Sequence, residues 1–222
     1  VAPAGELEIE LGYFNWERAE GENAYVTPQL VFNYGLTDTL ELIAEFDLEH
    51  DLDGNSQFVD PGLFLKMVLK QGVLQDRQGV SFAVEAGLLL PSAIEGENQT
   101  GFEAIGILSG SLDSVTWHLN LGGGVDRIDG TAFGLWGVIL EYPVSEGLSL
   151  VTEFNGESLR TEGAENSVLL GVVWEPSSLP DLTLDLGIRR GTSRAAAATP
   201  RPASTSASTQ ATGAKATSSA SS

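Results

Sequence analysis

The stretch that decides the fold reads Leu40-Glu41-Leu42-Ile43-Ala44-Glu45-Phe46-Asp47-Leu48. Because successive residues of a strand point to opposite sides, its even positions form an apolar face and its odd positions carry three acids. A soluble sheet would bury the apolar face against a second layer of structure. A closed barrel in lipid would instead turn that face outward and keep the acids in a wet interior.

The same alternation recurs along most of the chain. Eleven segments show it, and they cover roughly residues 6–16, 25–34, 39–49, 58–70, 79–90, 101–111, 115–125, 131–142, 147–156, 166–175 and 181–190. A strand of about ten residues can cross a bilayer at a steep tilt, and no segment has helical periodicity or 18 successive apolar residues. The sequence therefore predicts an all-β protein, an antiparallel up-and-down transmembrane β-barrel with about 11 strands.

Connections of two lengths alternate between these segments. Four are tight turns by composition, within 35–39, 112–114, 144–147 and 176–180, and the others are longer and charged, at 18–23, 51–57, 92–100, 126–130 and 157–166. The stretch 71–78 is the exception, because the alternation predicts a short turn at this place and the stretch is long. Short periplasmic turns and long outer loops are typical of an outer-membrane barrel. Aromatic residues near strand ends would form its interface girdle, namely Phe14, Trp16, Tyr34, Tyr142 and Trp174.

Charge and cysteine content exclude several classes of function. The 222 residues carry a formal net charge of −20, so nucleic acid and anionic membrane surfaces are not expected partners. The absence of cysteine excludes disulfides, thiolate metal sites and a cysteine nucleophile. No signal peptide pattern precedes the first strand segment, so we expect any export signal to have been removed already.

Residues 192–222 differ in composition from residues 1–191, which form the predicted barrel. They are rich in Ala, Ser and Thr and hold none of the 31 acidic residues. Such a segment cannot bury enough apolar surface to order itself, so it is predicted to be a disordered tail. Bacterial barrels have an even number of strands, so eleven leave one missing. The abrupt change after Gly191 suggests a frameshifted or artefactual end, with a natural low-complexity extension as the alternative.

Several motifs resemble those of a known family. Residues 28–42 (PQLVFNYGLTDTLEL) are similar to the "Y-G-L-T-D-x-L-E-L" hairpin of an outer-membrane β-barrel family linked to the MetA pathway of phenol degradation, whose members are called transporters. Asp60 and Lys66 match its "G-D-x-x-x-x-x-K" strand, with Pro61 as a departure, and Leu90-Pro91-Ser92 resembles its "L-P-[ST]" strand end. The resemblance extends loosely over residues 5–191. It implies a barrel of twelve strands and says little about the cargo.

Inward-facing charged residues are the main candidates for function. The predicted lumen acids are Glu6, Glu8, Glu10, Glu41, Glu45, Asp47, Asp60, Glu85, Glu103, Glu141, Glu153 and Asp185, and the predicted lumen bases are Lys66, Lys70, His118 and Arg189. Crowded carboxylates repel one another, so an open, wet lumen would favour cations over anions. The alternative is a narrow, filled lumen in which the acids bond to the few bases and to Ser, Thr and Asn. Asp60 and Lys66, six residues apart, are predicted to form a structural pair in that lumen.

Two other chemistries have weaker support in the sequence. Glu49, Asp51, Asp53 and Asp60 echo a calcium loop. The first ligand is not Asp, the twelfth is not Glu and the preceding segment reads as a strand, so an acidic surface loop is the preferred interpretation. His50 and His118 have no diagnostic spacing to a serine, so no catalytic residue, enzyme activity, cofactor or metal is expected.

The sequence therefore predicts an outer-membrane barrel of a Gram-negative bacterium with a transport function. It would move small molecules, aromatic or hydrophobic compounds included, passively or by facilitation through an acidic lumen. Its expected partners are outer-membrane lipid, the small-molecule solute and, during biogenesis, the barrel-assembly machinery. The alternatives are a non-transporting structural or ligand-binding barrel with a filled lumen, and a soluble carrier of lipocalin type.

Overall fold

The structure is a computed structural model that describes most of the chain before residue 192 and a short piece after it. The described residues are 1–12, 15–19, 22–50, 56–75, 77–94, 96–159, 163–179, 181–191 and 214–218. Side chains are described for all of these except 15–27, 159, 163 and 214–218. Within the described ranges, no helix has the length and apolar character needed to cross a membrane.

Strands make up most of the described chain. They are β1 (Leu7–Gly12), β2 (Asn15–Ala19), β3 (Glu22–Thr37), β4 (Leu40–His50), β5 (Ser56–Lys70), β6 (Ser81–Leu89), β7 (Gly101–Leu112), β8 (Val115–Val125), β9 (Ala132–Ser145), β10 (Leu148–Leu159), β11 (Gly163–Trp174), β12 (Leu182–Gly191) and β13 (Ala214–Ser218). A short 3₁₀ turn, Val73–Gln75, lies between β5 and β6. All eleven alternating segments fall on these strands, which confirms the predicted all-β class.

The strands form one antiparallel sheet. From β3 to β12, each strand pairs with the next one in the chain. β1 and β2 both lie along β3, where Leu7 is opposite Tyr34 and Asn15 is opposite Val26. β13 pairs with β1 over five residue pairs and with β12 over two. Five residues of the tail thus form a strand although disorder is predicted there, and the rest of 192–222 lies outside the described residues.

Two of the predicted long loops are wrong. The polar stretch 18–23 continues β2 and β3, with residues 20–21 between them, and the stretch 157–166 continues β10 and β11, with residues 160–162 between them. The hydrogen bonds of a ladder come from the backbone, so polar side chains do not end a strand. Only 90–100 and 126–131 remain as longer described connections at that end, so loop length separates the two ends of the sheet less clearly than predicted.

In a soluble sheet the apolar face is buried and the charged face is exposed, and in this sheet the two are reversed. One face holds buried acids, among them Glu41 (3% exposed), Glu103 (1%) and Glu153 (5%). The other face exposes large apolar side chains, among them Leu121 (69%) and Leu186 (75%). We call these the inner face and the outer face. Soluble monomers rarely expose an apolar surface of this extent, so the outer face marks an interaction surface.

The inner face also carries apolar clusters that the acidic alternation does not predict. One consists of Val68, Ala83, Ile105, Ile107 and Leu135, and a second consists of Ile43, Phe64 and Leu89. Phe133 packs against both. The inner face is therefore a mixture of charged and apolar side chains.

Candidate functional site

The inner face gathers the residues that the sequence nominates for function. Strand alternation places eleven of the twelve predicted site residues on it, while Asp60 lies in an irregularity of β5; the eleven are Glu8, Glu10, Glu41, Glu45, Lys66, Glu85, His118, Glu141, Glu153, Asp185 and Arg189. Glu8, Glu41, Asp60, Glu85 and Glu153 are buried there. Buried charges require partners, so the ion pairs and hydrogen bonds of these groups define what the site can do.

Lys66 and Glu85 form an ion pair in the middle of the sheet. They are directly opposite each other on β5 and β6, and Lys66 Nζ lies 3.4 Å from Glu85 Oε2. Both side chains are at most 15% exposed. Removing either partner would leave the other charge buried without compensation, so this pair holds the two strands in register.

A second polar network connects three neighbouring strands, β10 to β12. Arg189 Nη2 lies 3.2 Å from Glu153 Oε2, and Arg189 Nη1 donates to Ser167 Oγ at 2.9 Å. Asn155 Nδ2 donates to Glu153 Oε1 at 2.6 Å, and the Ser167 hydroxyl donates to the Asn155 amide oxygen. The carboxylate of Glu153 therefore belongs to a satisfied network.

Arg127 forms ion pairs with two buried acids at the end of the sheet where the longer described connections lie. Arg127 Nη1 lies 3.4 Å from Asp60 Oδ1 and 3.7 Å from Glu97 Oε2, and all three side chains are less than 10% exposed. The same nitrogen donates to the backbone oxygen of Leu90 at 3.2 Å. One guanidinium thus joins β5 to the connections 90–100 and 126–131.

This arrangement corrects the predicted pair between Asp60 and Lys66. Each of them has another ion-pair partner, because Asp60 lies in an irregularity of β5 that separates it from the regular ladder. Its φ of 51° marks this break, and Asp is one of the few residues that adopt such a conformation readily. The sequence analysis overlooked Arg127, although it is the sole Lys or Arg between residues 78 and 159.

The N-terminal residues fold back against the inner face at the opposite end. Ala2 is 0% exposed, and its N–H donates to Glu41 Oε1 at 2.8 Å. A Cβ at Gly35 would collide with the backbone oxygens of Ala2 and Pro3, so glycine is needed there for this close approach. Val1 and Leu74 of the 3₁₀ turn pack against the larger apolar cluster. Val1, Ala2 and Leu74 therefore lie against this end of the inner face.

Each histidine contacts a serine. His118 Nδ1 lies 2.8 Å from Ser109 Oγ, and His50 Nδ1 lies 2.7 Å from Ser56 Oγ. Ser109 is 0% exposed, and the half-buried His118 is its polar partner. His50 and Ser56 are opposite each other where β4 and β5 end, an arrangement that stabilises a hairpin.

The predicted calcium loop is not assembled by the described residues. Asp51 and Asp53 lie outside them, Glu49 accepts a hydrogen bond from Gln57 at 3.3 Å, and Asp60 pairs with Arg127. Among the described residues, no group of three or more His, Asp or Glu side chains could hold a metal ion.

Comparison with known proteins does not assign the chain to a family. No family model matches the chain, and a search of curated proteins finds no match either. The resemblance to the phenol-degradation barrels therefore stays a prediction that depends on the motifs in residues 28–42, 60–66 and 90–92.

Proposed function

We propose that this chain forms an outer-membrane β-barrel that lets small molecules cross the membrane through a charged interior. The observation that carries the proposal is the inverted burial of the sheet. Leu121, Leu186 and Ile188 are 69–75% exposed in mid-strand, while Glu41, Glu85 and Glu103 are less than 10% exposed. Lipid would solvate the first set, and an enclosed interior would hold the second.

The strand pairings support closure of the sheet. β1 and β2 together lie along β3 as a single strand would, and β13 pairs with both β1 and β12. With β1 and β2 taken together, the sheet would have twelve strands, an even number of the kind bacterial barrels use. Closure would leave no sheet edge to lipid, which a membrane-spanning sheet requires.

Aromatic side chains support a fixed position of this barrel in the membrane. Tyr34, Tyr142 and Trp174 are 42–50% exposed on the outer face, and each lies near the end of its strand where the short connections are. Amphipathic rings at one level match the girdle of a membrane interface. The short-connection end would then face the periplasm of a Gram-negative cell.

The charges of the interior determine which solutes would be favoured. Most inner-face charges are carboxylates, and the basic groups Lys66, Arg127 and Arg189 are each bonded to one or two of them. The remaining field favours cations and neutral polar molecules over anions. Aromatic or other hydrophobic cargo, which the family resemblance implies, would need a path between loops and lipid. Outer-membrane lipid and the assembly machinery are the other proposed partners.

A second candidate is a barrel whose interior is filled and which does not transport. The observation that favours it is the packing of Val1, Ala2 and Leu74 against inner-face residues at the short-connection end. In this case the function would be ligand binding at the outer loops rather than the passage of solutes.

Planar-bilayer recording of the purified chain tests these two candidates. The transport proposal expects discrete conductance steps and a reversal potential that shows preference for K⁺ over Cl⁻ in a KCl gradient. If neither current nor solute flux is seen, the proposal is wrong. A current that appears only after deletion of residues 1–4 would favour the filled barrel. A chain that stays folded and monomeric without detergent would exclude both and leave the soluble carrier.

A further inference from the structure

Glu103 differs from the other buried acids of the inner face because its carboxyl group has neither a hydrogen bond nor an ion pair among the described residues. It is 1% exposed, and neither of its carboxylate oxygens has a hydrogen-bond partner among the described residues. The ion pairs of the described chain join Lys66, Arg127 and Arg189 to other acids. A buried carboxylate in this state lacks several kcal/mol of compensation, so it marks a place where a ligand with donors would bind favourably.

The strand register places Glu103 between two glycines and, beyond them, two phenylalanines. In order across β5 to β9, Phe64 is opposite Gly87, Gly87 is opposite Glu103, Glu103 is opposite Gly124, and Gly124 is opposite Phe133. All five positions lie in one row of the inner face, since directly opposite residues of a sheet share a face. The Glu103 carboxylate thus lies in one row with two glycines and two phenylalanines.

The ring of Phe64 lies close to Glu103 along this row. A Cβ at Gly87 would lie 2.5 Å from Phe64 Cδ1, so the ring covers the glycine next to Glu103. Phe133 packs against the cluster of Ile43, Phe64 and Leu89. Phe64 is 2% exposed, whereas Phe133 is only partly buried.

We propose that Glu103, Phe64 and Phe133 form a binding site for a small organic ammonium ion. The ammonium N–H groups would donate to the two carboxylate oxygens of Glu103, and its positive charge would lie against the ring faces. A metal ion fits less well, because no group of three or more ligating side chains comes together in the described chain. Glu103 is the third residue of β7, directly after the connection 90–100 that Glu97 ties to Arg127, so the ligand would enter at that end.

This inference rests on the proposed function in one respect, since it requires the sheet to enclose the row. The test is isothermal titration of the full chain in detergent micelles with 2-phenylethylammonium, and with 2-phenylethanol as a neutral probe of similar shape. We expect the ammonium to bind more tightly than the alcohol. Glu103→Gln should weaken ammonium binding about tenfold or more and leave alcohol binding unchanged. Glu146→Gln, which removes the same charge from an exposed turn, should change neither.

Two outcomes would overturn the proposal. Equal binding of the ammonium and the alcohol would show that the carboxylate contributes nothing, as would a Glu103→Gln chain with wild-type ammonium affinity. Since the Glu103 carboxylate has no hydrogen-bond partner to lose among the described residues, Glu103→Gln should fold at least as well as the wild type. Phe133→Leu, which keeps the apolar volume, should weaken the ammonium more than the alcohol. Ammonium binding without conductance would contradict the transport function alone, so the two failures are distinguishable.

Discussion

Arg127 is the residue on which the buried charges of the loop end depend. Arg127→Ala would leave Asp60 and Glu97 buried without their cation, which costs about 3–5 kcal/mol in comparable sites. We therefore expect a clear decrease in the urea midpoint of unfolding in detergent. Arg77→Ala removes an arginine from an exposed turn and should leave the midpoint almost unchanged. Equal midpoints for the two variants would show that the ion pairs around Arg127 do not stabilise the sheet.

Gly35 controls the position of the N-terminal residues. In Gly35→Ala the new methyl group would occupy the place of the Ala2 and Pro3 backbone oxygens, so residues 1–3 must move away from the inner face. The chain has no cysteine, so a single Ala2→Cys substitution gives a specific reporter. We expect a water-soluble maleimide to label this cysteine slowly when Gly35 is retained and rapidly in the double variant that also carries Gly35→Ala. Rapid labelling in both backgrounds would mean that the N-terminal segment does not occupy the interior.

At the scale of the strand, charged substitutions on the outer face should be tolerated only near the ends of the strands. Leu121 lies in the middle of β8 and Leu112 lies at the end of β7, and they are 69% and 71% exposed. A lysine at the midplane of a membrane barrel costs about 2–4 kcal/mol and one near the interface about 0–1 kcal/mol. Leu121→Lys should therefore reduce the yield of folded protein in lipid vesicles much more than Leu112→Lys. In a soluble sheet both substitutions would be harmless, so equal yields would contradict the membrane assignment.

The strands could be predicted from the sequence because their signal is local. The alternation in residues 40–48 needs no information beyond neighbouring residues, and it identified both the strand and its acidic side. The ends of strands were harder, since the ladder continues through residues 18–19 and 22–23, three of which are polar. The partner of Asp60 could not be predicted from spacing. Arg127 is distant in sequence, and the irregularity at Asp60 changes the direction of its side chain.

At the scale of the whole molecule, the pairing of the last strand decides whether the sheet is a barrel. Deletion of residues 192–222 would remove β13, which lies between β1 and β12. We expect the shortened chain to lose the heat-dependent shift in gel mobility that folded membrane barrels show, whereas deletion of residues 219–222 alone should preserve it. If the longer deletion folds like the full chain, β1 and β12 can pair without β13, and the tail has no part in closure.

The contact between β1 and β13 also has a consequence for the order of assembly. Leu7 is opposite Ser218, so this pairing joins residues from nearly the two extremes of the chain, while the hairpins from β3 to β12 join neighbours. Pairings that close long stretches of chain form slowly, because their loop entropy is lost before any contact is gained. We expect the edges of β1 and β12 that pair with β13 to remain unpaired until the rest of the sheet has formed. Aggregation through these edges would then compete with the final step of folding.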